Sequence, residues 1–182
     1  MSLQLDAVWV RRTISTVDQN SVGGDLRMWP QAGVDLWREL ERAPGRVAFV
    51  VGDSREEVAE TLAELRGAKP FHVGLDLTAL SAPPAETTVR ERLSGHPVLN
   101  GIEVLFDDVL NLDPVRLFRV LATTAPPVAV VWPGTASRSG LHYPTDVRPG
   151  GHTAYSVPGA IVIRTCPTVF ADDVPFTLER LP

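Results

Sequence analysis

Cysteine is almost missing from this chain. Cys166 is the only one, so no intramolecular disulfide can form and no cysteine-rich zinc site can be built. The residue reads as a small apolar filler on the last strand, in a chain suited to a reducing cytoplasm. Long apolar runs are absent too. None reaches the ~18 residues a membrane-spanning helix needs, and the N-terminus has no basic-then-apolar leader pattern. The expectation is a cytoplasmic protein that is neither exported nor membrane-spanning. Runs rich in lysine and arginine are also lacking, and the net charge is −5, so autonomous binding to nucleic acid has no electrostatic footprint. The four histidines, His72, His96, His142 and His152, form neither H-x-x-x-H nor H-E-x-x-H. G-x-S-x-G and G-x-G-x-x-G are both absent, which removes the serine-hydrolase and dinucleotide readings.

What is present is an ordinary globular composition. With 182 residues, 44% hydrophobic and 21% charged, the chain can bury one substantial core. Val47–Val51 is a continuous apolar run, as expected of a strand buried on both faces. Gly52 ends it. Ser54 and Glu57 then have the spacing of a capping box, and Val58, Leu62 and Leu65 mark one helical face. Upstream, Val34, Leu36, Trp37 and Leu40 suit a short helix. Downstream, Phe71–Leu77 alternates and predicts a second strand, and Glu86–Leu93 a short helix. A strand is expected within Pro97–Phe106. Asp113-Pro114 is a strong helix start. Val128–Trp132 and Ala160–Arg164 read as buried strands, residues 135–158 as an extended loop or hairpin, and residues 167–182 as an irregular tail. Alternating strands and helices predict an α/β fold with a mainly parallel sheet. The expected organisation is an N-terminal extension (1–45), the α/β domain (46–166) and the tail.

The strand-turn-helix around Gly52 is the setting of a phosphate-binding loop without its chemistry. Such a loop curls backbone N–H groups around phosphate, adds a lysine and places Ser or Thr on magnesium. Here the turn is Gly52-Asp53-Ser54, followed by Arg55, Glu56 and Glu57. No lysine is present in the turn. Asp53, Glu56 and Glu57 suit the positive end of a helix dipole and repel a polyphosphate. The second half of a nucleotide site is an acidic residue ending an apolar strand. Two readings stand: a strand over Gly101–Phe106 ending at Asp107-Asp108, or one over Pro97–Asn100 that puts Asn100 in the carboxylate's place.

Three stretches extend this. GIEVLFDDVLNLDPVRLFRVLA (Gly101–Ala122), VAVVWPG (Val128–Gly134) and LHYPTDVRPGGHTAY (Leu141–Tyr155), together with HVGLDLTAL (His72–Leu80), resemble the BrxF family of small P-loop-containing proteins in type III BREX bacteriophage-exclusion systems. The resemblance covers about residues 46–165. It implies a P-loop-type three-layer sandwich with a parallel central sheet, and a phage-defence setting. Two departures matter. Family members carry a glycine-rich loop ending in Gly-Lys-Ser/Thr after the first strand, whereas Gly52 runs straight into the helix. Their next site strand ends Asp-Asn, whereas this one ends Asn100-Gly101, which favours the second register.

The resulting expectation is a non-catalytic accessory subunit without a cofactor or metal. It would work through contacts with an ATPase, a methyltransferase or a DNA-acting component. Gly52, Asp53, Ser54, Asn100 and Glu103 mark the decayed nucleotide site. Asp107, Asp108, Trp132, Tyr143, His152 and Tyr155 are the candidate partner contacts. Two other readings remain open. One is an unusual ATPase or half of a composite nucleotide site, with Glu103, Asp107 and Asp108 acting at a neighbour. The other is an α/β domain binding a small ligand at the Trp132 edge.

Overall fold

The computed structural model describes residues 29–42, 46–124, 126–144, 152–165 and 176–181. The first helix, α1 (Trp29–Arg42), precedes β1 (Val47–Val51) and α2 (Arg55–Glu64). Next come β2 (Phe71–His72), α3 (Val73–Thr78), α4 (Glu86–Leu93) and β3 (Val98–Asn100). Two 3-10 turns, Ile102–Phe106 and Asp108–Leu110, lead to α5 (Pro114–Thr124) and β4 (Val128–Val131). The chain closes with β5 (Thr135–Ser137), β6 (Gly140–Pro144), β7 (His152–Tyr155), β8 (Ile161–Thr165) and β9 (Phe176–Arg180).

Six strands form one sheet in the order β2-β3-β4-β1-β8-β9. The first five are parallel, and β9 runs antiparallel along the edge of β8. β1 therefore lies inside the sheet, with Val47 opposite Val128 on one side and Val51 opposite Arg164 on the other. Its five residues are all buried, as a strand covered on both faces requires. Side-chain alternation splits them between two cores. Val47, Phe49 and Val51 join Phe118, Leu121 and Trp132 on one face, while Ala48 and Val50 meet Leu36, Leu40, Val58 and Leu62 on the other. Helices flank both faces, an arrangement compatible with a three-layer sandwich. A separate three-stranded antiparallel sheet, β5-β6-β7, fills the connection from β4 to β8, where the sequence suggested a loop or hairpin.

Several expectations change. Residues 29–42 of the supposed extension complete the core. Leu36, Trp37 and Leu40 are buried, Trp37 Nε1 donates to Leu62 O at 3.2 Å, and Arg180 on β9 reaches Glu39 at 2.6 Å. The tail is not irregular throughout, because β9 pairs with β8. Phe71–Leu77 is not a single strand. Period-two alternation would bury Leu75 beside Val73 and Leu77, but Leu75 is 70% exposed. Val73 and Leu77 are instead buried at helical spacing, and the His72 ring caps α3 by accepting from Leu75 N. Gly101–Phe106 is not a strand either. Gly101 turns the chain at φ 61°, and Ile102–Phe106 coils into a 3-10 turn. The strand is Val98–Asn100, the second register. The start of α5 is as expected, with Asp113 accepting from Arg116 N at 3.0 Å. Cys166 lies outside the described residues.

Candidate functional site

Ligands of open α/β sheets bind in the crevice beyond the carboxyl ends of the strands. Here that edge carries the ends of β1, β4 and β8 and a cleft of about 380 Å³. Gly52, Asp53, Arg55, His142, Arg164 and Thr165 are among its lining residues.

The turn after β1 is closed from within. Parallel pairing sets Arg164 beside Val51, so Thr165 comes level with Gly52. The Thr165 hydroxyl donates to Val51 O at 3.1 Å and accepts from Ser54 N at 3.2 Å. It therefore stands in front of the first N–H group of the helix entry. Gly52 sits at φ 110°, and a β-carbon there would overlap Thr165 Oγ1 and come 2.7 Å from Thr165 O. Glycine serves here to admit a neighbouring strand. The expected capping box is not formed, because the Ser54 side chain makes no cap hydrogen bond.

Arg55 folds back over the same turn. Its guanidinium donates to Gly52 O at 3.3 Å and lies 3.6 Å from Glu56. Glu56 in turn accepts from Asn100 Nδ2 at 2.7 Å. The two halves of the expected nucleotide site are thus tied together by side chains. Asn100 Oδ1 is occupied by Gly101 N, its own neighbour. These residues do not fit a magnesium–nucleotide. The Thr165 hydroxyl occupies the Ser54 N–H, no lysine is present in the turn, and the first turn of α2 is acidic. Among the described residues, no group of three or more His, Cys, Asp or Glu side chains is placed to hold a metal ion.

Trp132, expected as a partner contact, is fully buried. Its Nε1 donates to His142 O at 3.1 Å. Phe49, Phe106, Tyr143 and Tyr155 meet it edge-on, with centroids 5.4 to 6.2 Å away. The β5-β6-β7 sheet folds back over the strand end and shuts the indole in, so Trp132 is a core anchor. Tyr143 stacks on Phe106 at 3.8 Å and is half-buried, as is Tyr155. The Tyr155 hydroxyl titrates above the ordinary phenol range, because burial disfavours its anion and Asp113 and Tyr143 add repulsion. His152 belongs to β7. Glu103, Asp107 and Asp108 are all exposed on the 3-10 turns and the link between them. Asp107 caps the second turn by accepting from Val109 N at 2.9 Å.

Sequence reasoning found Gly52, Ser54 and Asn100 but missed Thr165, Arg164 and His142. A hydroxyl one residue beyond a buried apolar strand was the available signal. Only the pairing of β8 with β1 makes it meaningful.

No family model, no curated protein and no solved structure matches the chain. Among the described residues, no helix is long and apolar enough to cross a membrane.

Proposed function

We propose that this chain is a P-loop-derived domain that has lost nucleotide binding and serves as a non-catalytic accessory subunit of a phage-defence system resembling BREX. One observation carries the reading: the Thr165 hydroxyl holds the Ser54 N–H and the Val51 carbonyl, where a phosphate-binding loop would keep its N–H groups free. The Glu56–Asn100 bond supports it, since it joins the two positions a metal-nucleotide would separate. The resemblance of Gly101–Ala122 and Val128–Gly134 to the BrxF family supplies the defence setting. The domain then acts through contacts with an ATPase, a methyltransferase or a DNA-acting component. Calorimetric titration of the purified chain with Mg-ATP tests the first half, and no heat up to millimolar nucleotide is expected. Purification of the tagged chain at native expression tests the second. Recovery of defence-system proteins is expected, and recovery of the chain alone overturns the assignment.

A second reading draws on the cleft at the ends of β1, β4 and β8. Its size suits a small ligand, and Arg55 and Arg164, which line it together with Asp53, would contact an anionic group of that ligand. Saturable binding of an anionic metabolite, lost on Arg55→Ala, would favour this reading over the first.

A further inference from the structure

A second hollow lies on the β2 side of the sheet. It is a groove of about 250 Å³ between the end of α3 and the two 3-10 turns. Leu77, Leu80, Pro83, Val104, Val109 and Leu110 supply its apolar walls. Leu80, Val104 and Leu110 are only partly buried and continue into the main core, so its floor is firm. Val109 is 69% exposed, and Leu75, on the helix that supplies Leu77, is 70% exposed. Single exposed apolar residues are ordinary. Here the two large ones of the described residues are on or next to elements that build one groove.

Charge gives the groove a sign. Glu103, Asp107 and Asp108 are exposed on the segment that forms one wall. The nearby Asp76 is neutralised by Arg92 at 2.9 Å. Glu103, Asp107 and Asp108 form no ion pair among the described residues, and Asp107 accepts only the hydrogen bond that caps its own turn. The segment is held in place at its start: Gly74 N donates to Gly101 O at 2.9 Å, and Asn100 is bonded to Glu56. Apolar walls beside unpaired carboxylates on a braced segment are complementary to an apolar side chain flanked by cations.

We infer that this groove docks a partner-protein segment that inserts an apolar side chain between Leu80 and Val109 and sets lysines or arginines against Glu103, Asp107 and Asp108. The inference rests on the accessory-subunit reading and names the surface through which that subunit works. The probe is a fluorescein-labelled peptide of alternating lysine and leucine, with lysine–serine and glutamate–leucine peptides as controls. Binding to the full chain is read by anisotropy and located by amide chemical shifts. The lysine–leucine peptide is expected to bind and to shift residues 77–84 and 103–110. Asp107→Lys with Asp108→Lys should weaken it roughly tenfold, as should raising salt from ~0.05 to ~0.3 M. Val109→Ser should weaken it about threefold or more. These surface changes leave the core untouched, so retained thermal unfolding guards against misfolding. Equal binding of the lysine–serine peptide, unchanged affinity in the charge-reversed variant, or shifts on another face would each overturn the proposal. Concentration-dependent self-association abolished by Val109→Asp would overturn it in favour of a second copy. Partner recovery together with failure of this test would retire the groove alone. Mg-ATP binding would retire the decayed-site reading and leave the groove result standing.

Discussion

Replacing Thr165 with valine tests the closure of the β1 turn. The two side chains have nearly the same shape, so the change removes a hydroxyl and little else. Thr165 is 8% exposed, and its hydroxyl makes bonds of 3.1 Å to Val51 O and 3.2 Å to Ser54 N. Both partners then lose a hydrogen bond at a site water barely reaches. Two net bonds and a poorly solvated donor amount to about 2 kcal/mol. With a urea slope of ~2 kcal/mol/M, the midpoint should fall by about 1 M. Trp37 and Trp132 are both buried and give fluorescence probes of unfolding. Thr165→Ser is the decisive companion. It keeps both bonds and loses one methyl, worth about 0.8 kcal/mol. Closure by the hydroxyl therefore predicts the stability order Thr, Ser, Val. If apolar packing were the cause, Val would match or exceed Thr, and Ser would rank last. That second order would refute the closure argument.

Three further outcomes follow from the same geometry. Trp132→Ala should cost about 3–5 kcal/mol in urea unfolding, since it empties a fully buried aromatic site, and Trp132→Phe should cost less. Asn100→Asp puts a second carboxylate against Glu56; on this exposed pair the loss should be at most about 1 kcal/mol at neutral pH. Like-charge repulsion raises the carboxyl pKa in the folded state, so the deficit should shrink as pH falls and the carboxyls protonate, a trend read from unfolding midpoints against pH. The same variant should still give no heat with Mg-ATP, because it leaves Thr165 in place. Tyr155 should ionise later than a free phenol in an ultraviolet pH titration, and Asp113→Asn should bring it down by removing one of the repelling charges. Because the folded-state pKa is raised, the stability Tyr155 contributes is present below the ordinary phenol pKa and is lost as pH rises through the folded value.

The parts of the fold that were readable were those whose local pattern has one solution. Val47–Val51 and Val128–Val131 are continuous apolar runs too short for a helix, and both are buried strands. Asp113-Pro114 announces its helix through cap chemistry that needs no tertiary partner. Phe71–Leu77 was misread because Val73 and Leu77 satisfy both a period of two and helical spacing. The capping His72 ring and the exposure of Leu75 decide between them. Ile102–Phe106 looks like a strand by composition, but its pairing is cut off by the turn at Gly101. The site was half legible. Missing residues in the Gly52 turn can be seen in a sequence. The hydroxyl that fills the space cannot, because Thr165 reaches it only through the register of β8 on β1. Trp132 shows the same limit. Its burial depends on the small sheet of β5, β6 and β7, whose polar composition gave no sign that it would fold back.

The closed turn and the acidic groove share one piece of chain, and this gives the two proposals a common physical basis. A nucleotide site needs the end of β3 to hold a carboxylate that faces the turn after β1. With Asn100 there, the side chain donates to Glu56 instead and clasps the first turn of α2. Gly101 then redirects the backbone, and its carbonyl accepts from Gly74 on α3. The redirected segment carries Asp107 and Val109, which line the groove, and the exposed Glu103 and Asp108. A phosphate entering the turn would have to displace Thr165 and outweigh three carboxylates at the head of α2. A single substitution such as Asn100→Asp achieves neither and loosens the clasp. Loosening should reach the groove as well, since Asn100 braces the segment that forms its wall. Asn100→Ala is therefore expected to weaken the lysine–leucine peptide without touching it, by roughly the few-fold that loss of a modest exposed hydrogen bond permits. Unchanged peptide affinity in that variant would separate the two features and leave the closed turn with no bearing on docking.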